Sequence, residues 1–364
     1  MNLKEIVIIH KTSVSEFPPL LSFLQFLKQE GYVIHLIAGY EKAESVRKEL
    51  REICTKLHIT NIFPSSNKIF YWLKIRRTFW QIIHQNNYGS KLIWLPAADT
   101  TLALGSKLLS YNYVLNLYEL FDDEPLYLRR LKKFALKANT VICSNPDRAN
   151  ILRVWWKLPQ TPKVILNKPY TAISGKNLPL PSDIAALLAN LAGTKVIIYQ
   201  GMIRPERELD VLCKVLAKRT DFSLVIMGPK TPYLSSLMQL NPAIVYIPFV
   251  APPYHLHVTS HAHIGVLSYD HSSLNNIFCA PNKLWEFSNF KLPMLGNDIP
   301  GLYHTIESNN MGRCADFKSS AEVEKALDDL VANYEYYAEQ ADIYYRCYDY
   351  DKSLREIMES VYSN

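Results

Sequence analysis

Asn275-Asn276-Ile277-Phe278-Cys279-Ala280-Pro281-Asn282-Lys283-Leu284-Trp285-Glu286-Phe287, resuming at Lys291-Leu292-Pro293-Met294-Leu295-Gly296-Asn297-Asp298-Ile299-Pro300-Gly301, is the most informative stretch of the 364-residue chain. Proline lacks the N–H that a first helical turn leaves unpaired, and asparagine caps helices, so Pro281 and Asn282 open one. The spacing predicts a helix over 282–290 and a buried strand over 293–296. Helix feeding short apolar strand is half of a βαβ unit, the building block of parallel sheets.

The same alternation extends outward from this stretch. Upstream, strands are expected over 195–199, 223–227, 245–248 and 264–268, with a helix over 208–217; a helix over 321–336 follows downstream. The first half repeats it, with strands over 3–9, 32–38, 91–95, 113–117 and 140–144. Helices over 17–30, 43–57, 100–110 and 126–138 separate these strands. Between the halves, 158–182 holds Pro159, Pro162, Pro169, Pro179 and Pro181 with Ser174-Gly175, the composition of a linker. The fold class is therefore α/β, with two Rossmann-like domains over 1–175 and 176–340. Ligands of open α/β sheets gather at the carboxyl ends of strands, which predicts a cleft between the two. Residues 341–364 are expected to form a C-terminal helix returning to the N-terminal domain. Five tyrosines at 337, 344, 345, 348 and 350 suit packed helices better than a solvated tail.

Composition narrows the classes. Apolar residues make up 48% and charged residues 20%, which excludes a disordered chain. No apolar run approaches the ~18 residues of a membrane span. Ile6-Val7-Ile8-Ile9 is too short for a signal-peptide core, so a cytoplasmic address is expected. The six cysteines are scattered without a C-x-x-C pair and read as buried free thiols. Net charge is +6, but residues 1–175 carry 24 Lys and Arg against 13 Asp and Glu, a balance of +11, and the remainder is −5. A basic N-terminal domain points to an anionic partner: phospholipid, a phosphorylated substrate or nucleic acid.

Two segments of the second half suit a nucleotide diphosphate. The start of the 282–290 helix, its macrodipole and Lys283 attract phosphate. Glu286, one turn in, can accept hydrogen bonds from two vicinal hydroxyls such as those of a ribose. Upstream, Tyr199-Gln200-Gly201-Met202-Ile203-Arg204-Pro205-Glu206-Arg207 ends a strand at Gly201 and supplies Arg207, which can hold a diphosphate bidentately. Taken singly, the first segment is also a capped helix with a surface Glu and the second an ordinary loop arginine; the pair makes the pocket.

With these residues in place, the C-terminal half resembles the retaining GT-B glycosyltransferases of family 4. Their pattern is Gly-x5-Lys/Arg, then P-N-K-x-x-E and D-x-P-G. Gly201 and Arg207, Pro281-Asn282-Lys283 with Glu286, and Asp298-Ile299-Pro300-Gly301 match it. The resemblance covers residues 190–335 well and the first half by architecture. It implies that Gly201, Arg207, Asn275, Asn282, Lys283, Leu284 and Glu286 bind the donor, a nucleotide-diphosphate sugar serving as co-substrate. Arg207 and Lys283 would offset charge on the departing diphosphate, with no cofactor and no metal. Asp99 and Glu119 are the acids expected on the acceptor side. Asp99 also reads as the cap of a helix beginning near Thr100.

The implied activity is hexose transfer, with retention, to a hydroxyl of a glycan or lipid-linked acceptor. The setting would be cell-surface polysaccharide or glycolipid synthesis, peripheral on the inner face of the cytoplasmic membrane. The chain departs from the pattern at Phe278, where the family often has a Glu, at Met202 for an Arg, and at Tyr118 for a His. The Gly-rich loop after the first strand is missing as well. Those departures motivate the alternative of a degenerate GT-B scaffold that binds without turnover. A nucleotide-sugar 2-epimerase is a further alternative, against which the P-N-K and Glu286 segment argues.

Three other segments carry weaker signals. His255-x-His257-x3-His261-x-His263 has metal-like spacing but no nearby Cys or acidic ligand. Asp122-Asp123-Glu124 reads as a solvated loop before Pro125. Asn67–Trp80 mixes aromatic and basic residues, which suits a membrane interface as well as a core helix with a basic edge. No nucleic-acid-binding module is found.

Overall fold

The computed structural model describes residues 4–169, 173–191 and 193–363. It divides into two compact units, Met1–Thr171 with Asp349–Asn364, and Ala172–Tyr348.

The first unit is a seven-stranded parallel sheet: β1 (Glu5–His10), β2 (Val33–Ala38), β3 (Lys56–Ile59), β4 (Leu92–Leu95), β5 (Tyr113–Leu117), β6 (Thr140–Cys143) and β7 (Lys163–Val164). Its order is β3-β2-β1-β4-β5-β6-β7. The chain leaves β1 in one direction along the sheet and returns on the other side through β4, so β1 and β4 flank the switch point where such sheets bind ligands. These two strands are continuous apolar runs with residues 6–9 and 92–95 buried, as strands covered by helices on both faces require.

The second unit is a six-stranded parallel sheet: β8 (Lys195–Gln200), β9 (Phe222–Gly228), β10 (Val245–Pro248), β11 (Ile264–Leu267), β12 (Met294–Asn297) and β13 (Gly312–Ala315). Its order, β10-β9-β8-β11-β12-β13, repeats the same doubly wound plan, with the switch point between β8 and β11. Tyr199, Leu212, Ile226, Val266, Leu295 and Leu327 belong to one buried cluster of this unit.

Three helices differ from their sequence reading. The helix expected to reach Leu57 stops at Ile53, because Cys54 turns extended and the Thr55 N–H donates to Ile34 O at 2.8 Å, drawing Lys56–Ile59 in as an edge strand. The helix expected over 100–110 is Ala98–Leu104 followed by a 3-10 turn over Ser106–Ser110. Gly105, at φ +73°, separates them in a conformation that favours glycine. The 321–336 segment and the tyrosine-rich stretch resolve into helices Ser320–Ala332, Tyr334–Cys347 and Tyr350–Ser363.

Tyr350–Ser363 packs within the first unit. Tyr362 donates to Glu5 O at 2.8 Å, and Arg355 pairs with Glu30 at 3.1 Å. No disulfide joins the six cysteines; unlike the buried thiols expected, Cys314 is half-buried and Cys347 is exposed. Among the described residues no helix is long and apolar enough to cross a membrane.

Candidate functional site

In the second unit the residues singled out from sequence meet at the carboxyl ends of β8 and β11. β8 ends on Gln200, and Gly201 follows at φ +119°. The tightness there is mutual: a Cβ on Gly228, at the end of neighbouring β9, would stand 2.1 Å from Gly201 O. A Cβ on Gly201 would stand 2.8 Å from Lys283 Nζ, so the lysine lies directly over the glycine. Lys283 is in the first turn of helix Asn282–Asn289, which begins on Pro281 without a side-chain cap. Its ammonium also sits 4.9 Å from the centre of the Tyr199 ring. Burial, and then the Arg207 charge, lower its pKa from the usual lysine range to about 8.

Arg207 ends the 3-10 turn Pro205–Arg207. Its guanidinium lies over the Tyr269 ring at 4.2 Å, and Nη1 donates to Ser268 O at 3.5 Å. Arg207 Nε is buried with no hydrogen-bond partner, and so is Ser268 Oγ just past β11. A buried donor left unmade costs about 1–3 kcal/mol, so two such groups around one loop mark a place built for something polar.

Glu286 follows Lys283 by three residues, on the same helix face. Its Oε2 accepts from Gln200 Nε2 at 2.5 Å, and its Oε1 lies 3.3 Å from His255 Nε2. Gln200 is itself oriented by Thr259, whose hydroxyl donates to Gln200 Oε1 at 2.7 Å. The carboxylate is thus aimed but not saturated, because each oxygen has a lone pair to spare. Leu284 is buried behind it.

Asn275 stands half-buried on the short helix Leu274–Ile277, whose start is capped by Ser273 accepting from Asn276 N at 3.1 Å. Gly301 of the Asp298-Ile299-Pro300-Gly301 turn is required by packing: a Cβ there would meet Cys279 N at 2.7 Å. Met202 is 43% exposed beside Gly201.

A second group forms in the first unit, at the ends of β1 and β4. Lys11 Nζ pairs with Asp99 Oδ2 at 2.5 Å, and Tyr127 donates to the other oxygen. Burial raises the Asp99 pKa, but the hydrogen bonds from Lys11 and Tyr127 outweigh it and hold the acid below its usual range. Asp99 is not a helix cap: it lies inside the first turn of Ala98–Leu104, and the cap position is Ala97. Burial and Lys11 push His10 down to about 4, and its Nε2 pairs with the Thr12 hydroxyl at 2.8 Å. Glu119 is exposed and joins this group only through its charge, felt by Tyr127.

Sequence reading missed Gln200, Lys11 and Tyr127, and it treated His255 only as part of a metal-like tract. The tract disperses. His255 faces Glu286, His257 Nδ1 meets Pro179 O at 2.6 Å, His261 Nε2 meets Leu178 O at 2.8 Å, and His263 Nδ1 accepts from Val196 N at 3.0 Å. Among the described residues no three His, Cys, Asp or Glu side chains converge as a metal site.

No protein-family profile matches the chain, and no curated protein matches it by sequence. Solved structures do match by shape. HepE of Anabaena, in complex with UDP and glucose, aligns over 98% of this chain and 99% of its own at TM-score 0.72 and 14% identity. Sucrose-phosphate synthase of Thermosynechococcus elongatus aligns over 99% of both chains at 0.72 and 15%. A glycosyltransferase of Rickettsia africae aligns over 99% of this chain and 98% of its own at 0.70 and 14%. At these identities the likeness establishes the fold: two Rossmann-like domains of the GT-B type.

Proposed function

We propose that the chain is a glycosyltransferase that moves a hexose from a nucleotide-diphosphate sugar to a hydroxyl of a glycan or lipid-linked acceptor, with retention at the anomeric carbon. The observation that carries this reading is the grouping of Arg207, Lys283 and Glu286 at the β8–β11 switch point, with Arg207 Nε and Ser268 Oγ buried and unpaired. Arg207 and Lys283 hold a diphosphate and offset the negative charge that grows on it as the sugar departs. Glu286, aimed by Gln200 and His255, accepts from the ribose hydroxyls. Asn282 and Leu284 set the helix start against the phosphates, and Asn275 faces the sugar. UDP and UDP-glucose, present in HepE crystals, are the first donors to try.

On the acceptor side, Asp99 is held ionised by Lys11 and Tyr127, and Glu119 is an exposed second acid. The basic first unit suits an acceptor presented at an anionic membrane surface, as in cell-surface polysaccharide or glycolipid synthesis.

The test is a thermal-shift screen of nucleoside diphosphates and their sugar conjugates on wild type and Glu286→Ala. A ligand at ~100 Kd stabilises by ~2.7 kcal/mol. One nucleotide is expected to shift the wild type, with most of the shift lost in the variant. If no nucleotide shifts the wild type, the scaffold binds something else and the donor reading fails. The anomeric configuration of the product, read by proton NMR, tests retention.

A further inference from the structure

A surface beside Asp99 is left unused by the chemistry above. Helix Lys68–Gln85 buries Tyr71, Ile75, Phe79 and Ile83 at steps of four, one face of the helix. Its other side presents Ile69, Phe70 and Leu73, exposed by 76%, 62% and 55%. Leu126, in the first turn of helix Pro125–Ala135, is 72% exposed. Single exposed apolar side chains are ordinary, but three on one helix face are not.

The charge on these two helices has one sign. The two helices together carry eight Lys and Arg and not one Asp or Glu. The acids Asp122, Asp123 and Glu124 come before Pro125, at the opposite end of that helix from Lys132 and Lys133. A pocket between the helices has Trp72 and Phe134 in its wall and Arg76, Arg130 and Lys133 around it. Arg76 is fixed there by the carbonyls of Ala103 at 2.7 Å and Leu102 at 3.3 Å, and Lys133 by the Ser106 hydroxyl at 2.9 Å. Trp72 connects this pocket to the acid site, since Lys11 Nζ, the partner of Asp99, lies 5.1 Å from its ring.

We propose that this face docks on an anionic phospholipid bilayer. Ile69, Phe70 and Leu73 enter the boundary between headgroups and acyl chains, and Lys68, Lys74, Arg77 and Arg130 reach the phosphate level. Apolar side chains ringed by long cations fit that boundary: the apolar part is buried while each charged head stays at the wet surface. A lipid headgroup phosphate in the Trp72–Arg130 pocket would sit one side chain away from the Lys11–Asp99 pair. The inference rests on the membrane-facing half of the proposed function and not on the donor site.

The experiment is co-sedimentation of the full chain with vesicles of phosphatidylcholine alone and of phosphatidylcholine mixed with phosphatidylglycerol. Each cation near the surface adds about fivefold to binding on anionic vesicles, so wild type should prefer them by more than tenfold, less at high salt. Ile69→Ser/Phe70→Ser/Leu73→Ser should lose about tenfold or more on both vesicles. Lys74→Glu/Arg77→Glu/Arg130→Glu should erase the preference. All six positions are exposed, and the melting temperature of each variant checks that the fold is intact. Equal binding of wild type to both vesicles, absence of binding, or variants that bind like wild type would overturn the proposal. Vesicle binding without any nucleotide shift would leave docking standing and remove the donor reading; the reverse pattern would remove docking alone.

Discussion

The position of Lys283 makes donor binding a proton-linked event. Its pKa is lowered to about 8, first by burial and then by Arg207. A bound diphosphate would place anionic oxygens beside it and return it to the ordinary range near 10.4. The bound state then carries a proton that the free state has partly lost. With a free pKa of about 8, the protonated fraction falls from ~0.9 at pH 7 to ~0.1 at pH 9, so Kd should weaken about tenfold across that interval. Near pH 8 about half a proton should be taken up per nucleotide bound. The Tyr199 hydroxyl beside it lies outside this window, because burial pushes it up to about 12. Isothermal titration in buffers of different ionisation enthalpy measures both quantities. Lys283→Arg, which keeps its charge throughout, should bind with a flat profile over the same interval. A wild-type Kd that does not change between about pH 7 and 9, or a Lys283→Arg profile as steep as wild type, would refute the reasoning.

Two further outcomes follow from buried groups. Glu41 is fully buried and accepts from Ser13 Oγ at 2.7 Å, Ser15 Oγ at 2.6 Å, Ser15 N at 3.0 Å and Ala43 N at 3.1 Å. Glu41→Gln turns an NH2 toward these donors and should cost about 2–3 kcal/mol in urea unfolding. Burial raises the Glu41 pKa, but the serine hydrogen bonds prevail and leave it below 4.5. Its contribution is therefore complete above pH 4.5 and lost as pH falls through the lowered value, so wild type and variant should converge in acid. Gly201→Ala places a Cβ 2.8 Å from Lys283 Nζ at φ +119° and should cost about 1–2 kcal/mol while weakening diphosphate binding. Unchanged stability would mean that the lysine moves aside freely.

What could be read from the residues was what repeats or stands at fixed spacing. The alternation of apolar strands and helices gave both sheets, because buried parallel strands such as Ile6–Ile9 have no polar face to blur them. Lys56–Ile59 escaped because an edge strand carrying Lys56 and His58 has no such run. Gly312–Ala315 escaped because Gly-Arg-Cys-Ala has almost no β signature. Spacing likewise placed Lys283 and Glu286 on one helix face, and Arg207 was joined to them by reading two strand-end segments as one pocket. It could not reveal Gln200 or His255 against Glu286, since those contacts depend on β8 and helix His255–Thr259 arriving from 86 and 31 residues away. The Lys11–Asp99 pair spans 88 residues and is set by β1 lying beside β4, a neighbour relation no local pattern encodes.

The route of the chain also sets an order of events during synthesis. Residues 349–364 belong to the first unit, yet they are translated after every residue of the second. The second unit is one uninterrupted segment and can close as soon as it emerges. The first unit must wait, with Tyr32 and Asn139 uncovered until Tyr362 and Val361 arrive to meet them. The earlier-made half is thus the later-finished one, inverting the usual N-to-C sequence of maturation. A released chain that ends before Asp349 would hold a finished second unit joined to an open first sheet, the species on which chaperones and proteases would act.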